Sequence, residues 1–312
     1  MMRLIRGIYN LKNEYRKCVL TIGNFDGVHL GHQMLLKRLC IEGSNYNVKT
    51  MVILFEPHPL EVLKPFTPFI RITSFREKIK YLSTLGIDLV LCIRFKLDFA
   101  SLNGEFFIKN FLINNLSIKL LIVGDDFCLG VKRHCDVKHL KKLGLKYGFN
   151  VININTYLYN KIRISSSLIR KYLYVNNFDF VKLLLGRSFM ISGRVVKGNA
   201  IGCNVIGYPT ANISIRHTTF PLRGVYAVKI YGLFLEPIYG IANIGTCPTF
   251  YGTKLKMEVH LLDIFINLYY YRIDVLFCCK IRDEKFFYSI DKLKKQISND
   301  IMVVKKYFKL KI

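Results

Sequence analysis

Residues 21–33 read TIGNFDGVHLGHQ, and this stretch follows a short apolar run and opens a helical pattern. Gly23 and Gly27 permit a sharp turn and a close approach of the backbone to a ligand. Gly31 and His32 fall at the predicted start of the helix, where free backbone N–H groups and the helix dipole favour phosphate. The stretch therefore predicts an α/β unit with an anion site where its first strand ends.

Two histidines in this stretch are candidates for catalysis. His29 and His32 are three residues apart at the helix start, so both imidazoles can face one point. Two such donors suit the charge that builds on an α-phosphate during nucleotidyl transfer. A lone histidine in a polar turn is ordinarily a surface residue, but here a strand, glycines, paired histidines and a helix coincide. We therefore take both as catalytic candidates.

Outward from this stretch, the first half of the chain alternates strand-like and helix-like segments. Apolar runs indicate strands at 18–22, 51–55, 89–93, 120–123 and 151–154, and helical spacing marks 30–40, 75–85, 106–112 and 137–147. This order predicts a doubly wound parallel sheet. The fingerprint G-x-G-x-x-G is absent, which argues against a dehydrogenase-type dinucleotide site.

The second half has a different pattern. From residue 189 onward, short β-rich runs are cut by Gly, Pro and Asn, which is typical of an antiparallel barrel or sandwich, and residues 291–307 have a helical pattern. Two helices are predicted between the halves, at 165–174 and 178–185, with Gly186 as the C-terminal cap of the second. We place the domain boundary there, which gives domains 1–185 and 186–312.

The charge of the chain bears on its partners. The 312 residues carry a net charge of +26, from 47 basic and 21 acidic residues. Such a balance often indicates nucleic acid or another polyanion. The excess is spread over both halves, and no RNP-type aromatic motif occurs, so we expect compositional drift and anionic substrates rather than a specific nucleic-acid partner. An RNA-binding protein is the alternative from another functional class.

Cysteines and hydropathy bear on the compartment. Nine cysteines without a C-x-x-C pair predict reduced thiols rather than a zinc site or a disulfide framework. No stretch reads as a membrane-spanning helix or as a signal peptide. We therefore expect a cytoplasmic protein without a membrane partner, and the sequence leaves the oligomeric state open.

Residues 21–33 resemble the adenylyltransferase signature GxFDGxHxGH, specifically as it occurs in the bacterial bifunctional riboflavin kinase/FAD synthetases. The resemblance covers nearly the whole chain, and the common order of many short strings makes it specific. The further strings are FEPHPLEVL (55–63), RIT (71–73), VGDDF (123–127), ISSSLIRKYL (164–173), GYPTANI (207–213), PLRGVYAV (221–228), IANIGTCPTF (241–250) and MEVHLLDI (257–264).

For the first domain, the resemblance implies a nucleotidyltransferase fold that converts FMN and ATP to FAD and pyrophosphate. FMN already carries an anionic phosphate, so the protein needs only to position the reactants and stabilise charge. His29 and His32 would contact the α-phosphate, with Asn24 as a further polar contact. The other implied binding residues are Gly23, Phe25, Asp26, Asp125, Asp126, Ser166, Ser167 and Arg170.

Two groups among these residues have a specific expected role. Asp125 and Asp126 follow the strand at 120–123, at the carboxyl end where open α/β sheets bind ligands. Ser166, Ser167 and Arg170 would hold the β- and γ-phosphates of ATP. By spacing alone, the serines also fit a helix N-cap, and Arg170 a solvated helix face.

For the second domain, the resemblance implies an antiparallel β-barrel kinase that converts riboflavin and ATP to FMN and ADP. No Walker A motif occurs, which excludes a P-loop kinase. Thr210 and Asn212 are two residues apart, so in an extended chain both side-chain oxygens could ligate one Mg²⁺. By spacing alone, their PTAN string also reads as a proline-led turn.

The remaining kinase residues also follow from the resemblance. Glu258 would be the general base for the ribityl hydroxyl, although its pattern alone fits an exposed strand carboxylate. Gly193, Gly198 and Gly202 would form a loop over the phosphates, or else simple hairpin turns. Asn243 is a further implied binding residue.

Several positions depart from the family pattern. They are Cys128, Leu129, Cys135, Cys203 and Tyr270. The family has aromatic or glycine residues at most of them, so a flavin contact, a loop and a turn are affected. A chain that retains only the kinase activity is therefore the alternative within the family.

Overall fold

The computed structural model describes residues 2–131, 134–197, 207–214, 220–245 and 255–311. The chain divides into two compact units, Met1–Phe69 with Phe75–Ser166, and Ile70–Ser74 with Ser167–Ile312. Residues 167–185 belong to the second unit in this division. The functional boundary at residue 186 stays a prediction.

The first unit is built on a parallel sheet. Its strands are β1 (Arg3–Arg6), β2 (Val19–Ile22), β3 (Thr50–Glu56), β4 (Leu89–Arg94), β5 (Leu120–Gly124), β6 (Cys128–Leu129), β7 (Cys135–Asp136), β8 (Asn150–Ile154), β9 (Leu158–Tyr159) and β10 (Ile162–Arg163). Six of them form one sheet in the order β1-β4-β3-β2-β5-β8, with every pairing parallel. The predicted doubly wound sheet is confirmed, and β1 extends it by a strand that the sequence pattern did not indicate.

Helices connect these strands. They are α1 (Leu30–Asn45), α2 (Pro59–Leu63), α3 (Phe75–Thr84), α4 (Leu97–Ala100), α5 (Gly104–Phe107) and α6 (Val137–Tyr147), with short 3₁₀ turns at Ile8–Asn10 and Asn13–Tyr15. The helix predicted at 106–112 is found as α5 followed by wider, π-helical turns over Ile108–Asn115. Two short antiparallel pairs, β6 with β7 and β9 with β10, lie outside the main sheet.

Apolar side chains cover both faces of the sheet. Leu20 and Met51 lie in the cluster on one face, and Val19 and Val52 lie with Leu36 of α1 in the cluster on the other. Burial on both faces explains why the strands read as continuous apolar runs rather than as alternating ones.

The strand order reverses beside β2. The chain passes from β2 to β3 and β4 on one side, and returns to β5 on the other. Thr21 of β2 pairs with Ile122 of β5, so the carboxyl ends of these two parallel strands lie side by side. A reversal of this kind opens a crevice in which α/β proteins bind ligands. It places residues 23–29 next to residues 124–126.

The second unit contains helices and a closed barrel. Its elements are α7 (Ser166–Tyr174), α8 (Phe178–Leu185), β11 (Met190–Val196), β12 (Ala211–Ser214), β13 (Gly224–Tyr231), β14 (Ile238–Gly245), β15 (Lys256–Leu261), β16 (Arg272–Arg282) and α9 (Ile290–Tyr307). The strands close in the order β11-β12-β15-β14-β13-β16, all antiparallel. The structure therefore selects the barrel over the sandwich. Gly186 caps α8 with a left-handed φ of 70°, as predicted.

Helix α9 packs on the outside of the barrel. Its Val304 is fully buried against Val225, Ala227 and Ile241. None of the helices in the described part of the chain combines the length and the apolarity that crossing a membrane requires.

Gly193 does not lie in a loop. It sits in the middle of β11, buried, and pairs with Ile273 of β16. A Cβ at this position would come within 2.1 Å of Ile213 Cγ2 on the neighbouring strand. The glycine therefore permits close strand packing, which explains its presence without a phosphate.

Candidate active sites

His29 and His32 meet at the start of α1. His29 is the N-cap residue, and its Nδ1 accepts a hydrogen bond from the backbone N–H of His32 at 3.3 Å. The two rings stack, with centroids 3.6 Å apart and an angle of 15° between planes. His29 is 6% exposed and lies in the segment between β2 and α1. The sequence prediction that both rings face one point agrees with this geometry.

The loop that leads into α1 has an unusual backbone. Phe25 and Val28 adopt positive φ angles of 47° and 41°, and both side chains are buried. Left-handed backbone in a bulky or β-branched residue costs free energy and is tolerated where the surrounding structure fixes it, most often at functional sites. Asp26 lies in the same loop and is 3% exposed.

Asn24 contributes a buried polar atom to this loop. Asn24 Oδ1 is buried and has no hydrogen bond among the described residues, and Thr21 Oγ1 on the preceding strand is in the same state. Buried polar atoms are almost always paired, so an isolated one in a crevice suits a donor supplied by a ligand. Contact of Asn24 with a nucleotide stays a prediction.

The two aspartates that follow β5 are engaged by protein groups. The hydroxyl of Thr156 donates to Asp125 at 2.7 Å, and Arg163 forms an ion pair with Asp126. The Thr156 hydrogen bond holds the pKa of Asp125 below its ordinary value. Direct contact of either aspartate with a nucleotide stays a prediction, since both now anchor the segment around β9 and β10.

Sequence reasoning missed Thr156 and Arg163. Arg163 is the residue just before the quoted string ISSSLIRKYL, so proximity to that string was the available signal. The sequence around Thr156 gives no sign of its contact with Asp125, because that contact depends on the parallel pairing of β5 with β8.

The three residues predicted to bind phosphate all lie on α7. The hydroxyl of Ser166 donates to the backbone carbonyl of Asp26 at 2.9 Å, which ties it to the histidine-bearing loop. Ser167 lies exposed on α7 in the second unit. Arg170 is also there, and its Nε donates to Ile70 O at 2.6 Å. Phosphate contacts by these three residues stay predictions.

The second site is a row of polar residues across three barrel strands. Asn212 on β12 pairs with Glu258 on β15, and Glu258 pairs with Asn243 on β14. Directly paired residues project to the same side of a sheet, with Cβ atoms about 4.5–5.5 Å apart. Their neighbours Ile213, Val259 and Ala242 face the buried interior, so the row lies on the outer face. Three residues that the sequence places 31 and 15 positions apart are thereby brought together.

The Glu258 carboxyl lies in a partly desolvated environment. Burial raises the pKa of its carboxyl above the ordinary value, and the charge of Lys256 lowers it in part. A raised carboxyl pKa brings a general base closer to working pH.

Thr210 directly precedes β12 and is half-buried. Its hydroxyl and the Asn212 amide are neutral oxygen ligands of the kind that Mg²⁺ accepts alongside phosphate oxygens. The described residues contain no group of three or more His, Cys, Asp or Glu that could hold a metal. Gly198, Gly202 and Cys203 lie outside the residues that the structure describes.

The other departures from the family pattern have structural counterparts. Cys128 and Leu129 form β6, Cys135 begins β7, and a Cβ at Gly104 would meet Cys135 Cβ at 2.7 Å. Tyr270 keeps a left-handed backbone, with φ at 69°, and its N–H donates to Val195 O. The turn that a glycine would ease is therefore retained with a tyrosine.

Two family models match different parts of the chain, and each part contains one of the two candidate sites. The sequence model of the FAD synthetase family matches residues 11–168, which include the paired histidines. The sequence model of the riboflavin kinase family matches residues 185–308, which include the Asn212–Glu258–Asn243 row.

Relatives that match over the whole length are named for both activities. The chain is 51% identical over 312 residues to the "Bifunctional riboflavin kinase/FMN adenylyltransferase" of Buchnera aphidicola subsp. Schizaphis graminum, covering 99% of this chain and 100% of the relative. It is 46% identical over 310 residues to the protein of the same description from Escherichia coli K12, with 99% of each covered. A crystal structure from Streptococcus pneumoniae, described as a macrolide-efflux protein, has a TM-score of 0.77 and 27% identity over 98% of this chain and 99% of that one.

Proposed function

The chain belongs to the family of bifunctional riboflavin kinases/FMN adenylyltransferases, and from this premise we propose which of its own residues perform the two reactions. The enzyme phosphorylates riboflavin with ATP to give FMN and ADP, and it adenylylates FMN with a second ATP to give FAD and pyrophosphate. The substrates are thus ATP, riboflavin and FMN. The residue roles below are the proposal.

The adenylyl transfer is assigned to the β2–β5 crevice. An FMN phosphate oxygen attacks the α-phosphorus of ATP, a P–O bond forms, and the bond to pyrophosphate breaks. Charge builds on the α-phosphate oxygens, and the paired rings of His29 and His32 lie at the amino end of α1, where donors and the helix dipole stabilise it. Asn24 supplies an amide whose oxygen has no hydrogen bond among the described residues and can accept one from an N–H or O–H group of the bound nucleotide or flavin. Phe25 and Asp26 shape the loop that holds these groups.

The phosphoryl transfer is assigned to the polar row on the barrel. The Glu258 carboxylate takes the proton of the primary ribityl hydroxyl as its oxygen forms a bond to the γ-phosphorus and ADP departs. Asn212 and Asn243 flank Glu258 on both neighbouring strands and orient the hydroxyl and the phosphates. This cross-strand row is the observation that supports the kinase assignment most strongly.

Magnesium is the implied cofactor of the kinase reaction. Thr210 and Asn212 are the residues that would hold it, since both offer hard oxygen atoms next to the base. When bound, Mg²⁺ neutralises charge on the phosphates of ATP. The chain's own residues hold the ligand oxygens in place and take the proton.

The remaining expectations concern partners and compartment. We expect small-molecule partners, no specific nucleic acid and a cytoplasmic location, supported by cysteines that are free wherever the structure describes them. The oligomeric state stays open.

Chromatographic separation of flavins tests the two assignments in one assay. The full-length protein with riboflavin, ATP and Mg²⁺ is expected to form FMN first and FAD later. Asn243→Ala should slow FMN formation while FAD formation from supplied FMN persists, and Asn24→Ala should do the reverse. If either variant slowed both reactions equally, the division of the two sites would be wrong.

A further inference from the structure

His260 lies two residues beyond Glu258 on β15 and so projects to the same side of the strand. Its Nδ1 lies 2.8 Å from the carbonyl oxygen of Pro209. Its ring also meets the ring of Tyr208 edge to face, with centroids 5.6 Å apart. A side chain on the base-bearing strand thus contacts two successive residues of the segment that leads into β12.

That segment lies just outside the regular ladder. The pairing of β12 with β15 begins at Ala211 and Val259. Tyr208, Pro209 and Thr210 therefore approach β15 without ladder pairs of their own. Proline also lacks the N–H that could extend the ladder. The hydrogen bond from His260 provides a fixed link between the two strands at this point.

The link fixes one peptide plane in particular. The carbonyl of Pro209 and the N–H of Thr210 belong to the same planar peptide unit. A carbonyl oxygen only accepts, so His260 Nδ1 carries the proton in this contact. Holding that oxygen fixes the orientation of the peptide unit that leads into Thr210, and so the position of the Thr210 hydroxyl relative to Glu258.

We propose that His260 is a positioning residue of the kinase site, which sets where the Thr210 hydroxyl, just before β12, stands relative to Asn212 on β12 and the Glu258 base on β15. This inference rests on the proposed role of those three residues. His260 acts through the Pro209 carbonyl and takes no part in proton transfer. Sequence reasoning passed it over, because the string MEVHLL shows only that Glu258 and His260 share a strand face.

Three substitutions of His260 distinguish the effect of its hydrogen-bond donor from the effect of the size of its ring. His260→Asn keeps an N–H close to the place of Nδ1, whereas His260→Gln places its N–H near the position of Nε2, and His260→Ala has no donor. Loss of one neutral hydrogen bond that orients a site is expected to lower kcat for FMN formation about tenfold in the Ala and Gln variants. The Asn variant should stay within about threefold of the unchanged protein, on the same reasoning.

Two further measurements distinguish positioning from simple packing. The Mg²⁺ concentration for half-maximal FMN formation should rise in His260→Ala, while KM for riboflavin should change little. Hydrogen–deuterium exchange of residues 207–214, measured without metal or nucleotide, should become faster in His260→Ala and return towards normal in His260→Asn. His139→Ala, which removes an exposed histidine in the first unit, is the matched control and should change neither quantity.

The possible results separate this inference from the assignment on which it rests. An Asn variant as impaired as the Ala variant, or an Ala variant with unchanged kcat and Mg²⁺ dependence, would overturn the role of His260. If Glu258→Gln and Asn212→Ala kept full FMN formation, the assigned kinase site itself would be wrong, whatever His260 did.

Discussion

His29 and His32 stack ring on ring with their centroids 3.6 Å apart, and Nδ1 of His29 accepts the backbone N–H of His32. A nitrogen that accepts cannot also carry the proton, so in this contact His29 carries its ring proton on Nε2. One histidine thus caps the helix and aligns the other. Because this hydrogen bond joins residues three positions apart, the spacing of the two histidines matters as well as their identity.

Replacing the second histidine should affect one activity only. In the proposed mechanism His32→Ala removes a donor to the α-phosphate, and the loss of one such donor lowers the rate about 10²–10³-fold. We expect that loss in FAD formation from FMN, measured by steady-state kinetics, with FMN formation nearly unchanged. His139→Ala is the control, and an equal fall of both activities would indicate misfolding instead.

Glu258→Gln tests the general base. Glutamine keeps the size and the hydrogen-bonding capacity of the side chain but takes no proton. The expected loss in kcat for FMN formation is about 10²–10⁴-fold, with KM for riboflavin little changed. FAD formation from supplied FMN should persist. A variant with near-normal kcat would leave the reaction to positioning by Thr210 and Asn212.

The pH profile of FMN formation should report the environment of Glu258. The base works only when ionised, so the rate should fall as the pH falls through its pKa. Burial raises that pKa above the ordinary value, and the half-point should lie correspondingly high. Lys256→Gln removes the positive charge that lowers the pKa, and the half-point should then move to still higher pH. Lys256→Arg keeps the charge and should leave it in place.

Helix α9 is attached to the barrel by a buried ion pair. Arg282 donates from Nε and Nη2 to the carboxylate of Asp300, which is 4% exposed, and Gln296 adds a further donor at 2.8 Å. Arg282→Ala would leave a buried charge without its cation, which costs about 3–5 kcal/mol of the free energy of unfolding. Denaturant titration of the full-length protein measures this.

A matched pair on the same helix provides the control. Lys305 contacts Asp263, whose side chain is 66% exposed. Asp263→Asn should cost at most about 1 kcal/mol, because the exposed carboxylate that it replaces is screened by water. Equal effects of the two substitutions would show that Arg282 contributes no more than a surface ion pair.

Tyr270 is held in a strained turn. Its φ is 69° and its side chain is largely exposed, so the ring contributes little that offsets the left-handed backbone. Tyr270→Gly should therefore raise the free energy of unfolding by about 1 kcal/mol. Tyr271→Gly should lower it, since the neighbouring residue has no positive φ to relieve. Thermal unfolding distinguishes the two, and destabilisation by both would show that the Tyr270 ring is needed.

The sequence by itself determined the local elements of the fold and the family to which the chain belongs. Strands β2 and β3 carry apolar residues on both faces. That continuous apolar pattern indicates buried parallel strands even when the strands with which they pair are unknown. The helix start at His29 and the cap at Gly186 are decided by residues a few positions apart. Spacing and motif order were sufficient there because the interactions are local.

Only the tertiary structure decided which distant residues meet. The pairing of Asn212, Glu258 and Asn243 depends on strand register, and a shift of one residue would turn each side chain to the opposite face. Gly193 lies inside a strand and packs closely against Ile213, whereas the family resemblance had implied a loop. Register and packing are set by the whole barrel at once, so no local pattern in the sequence encodes them.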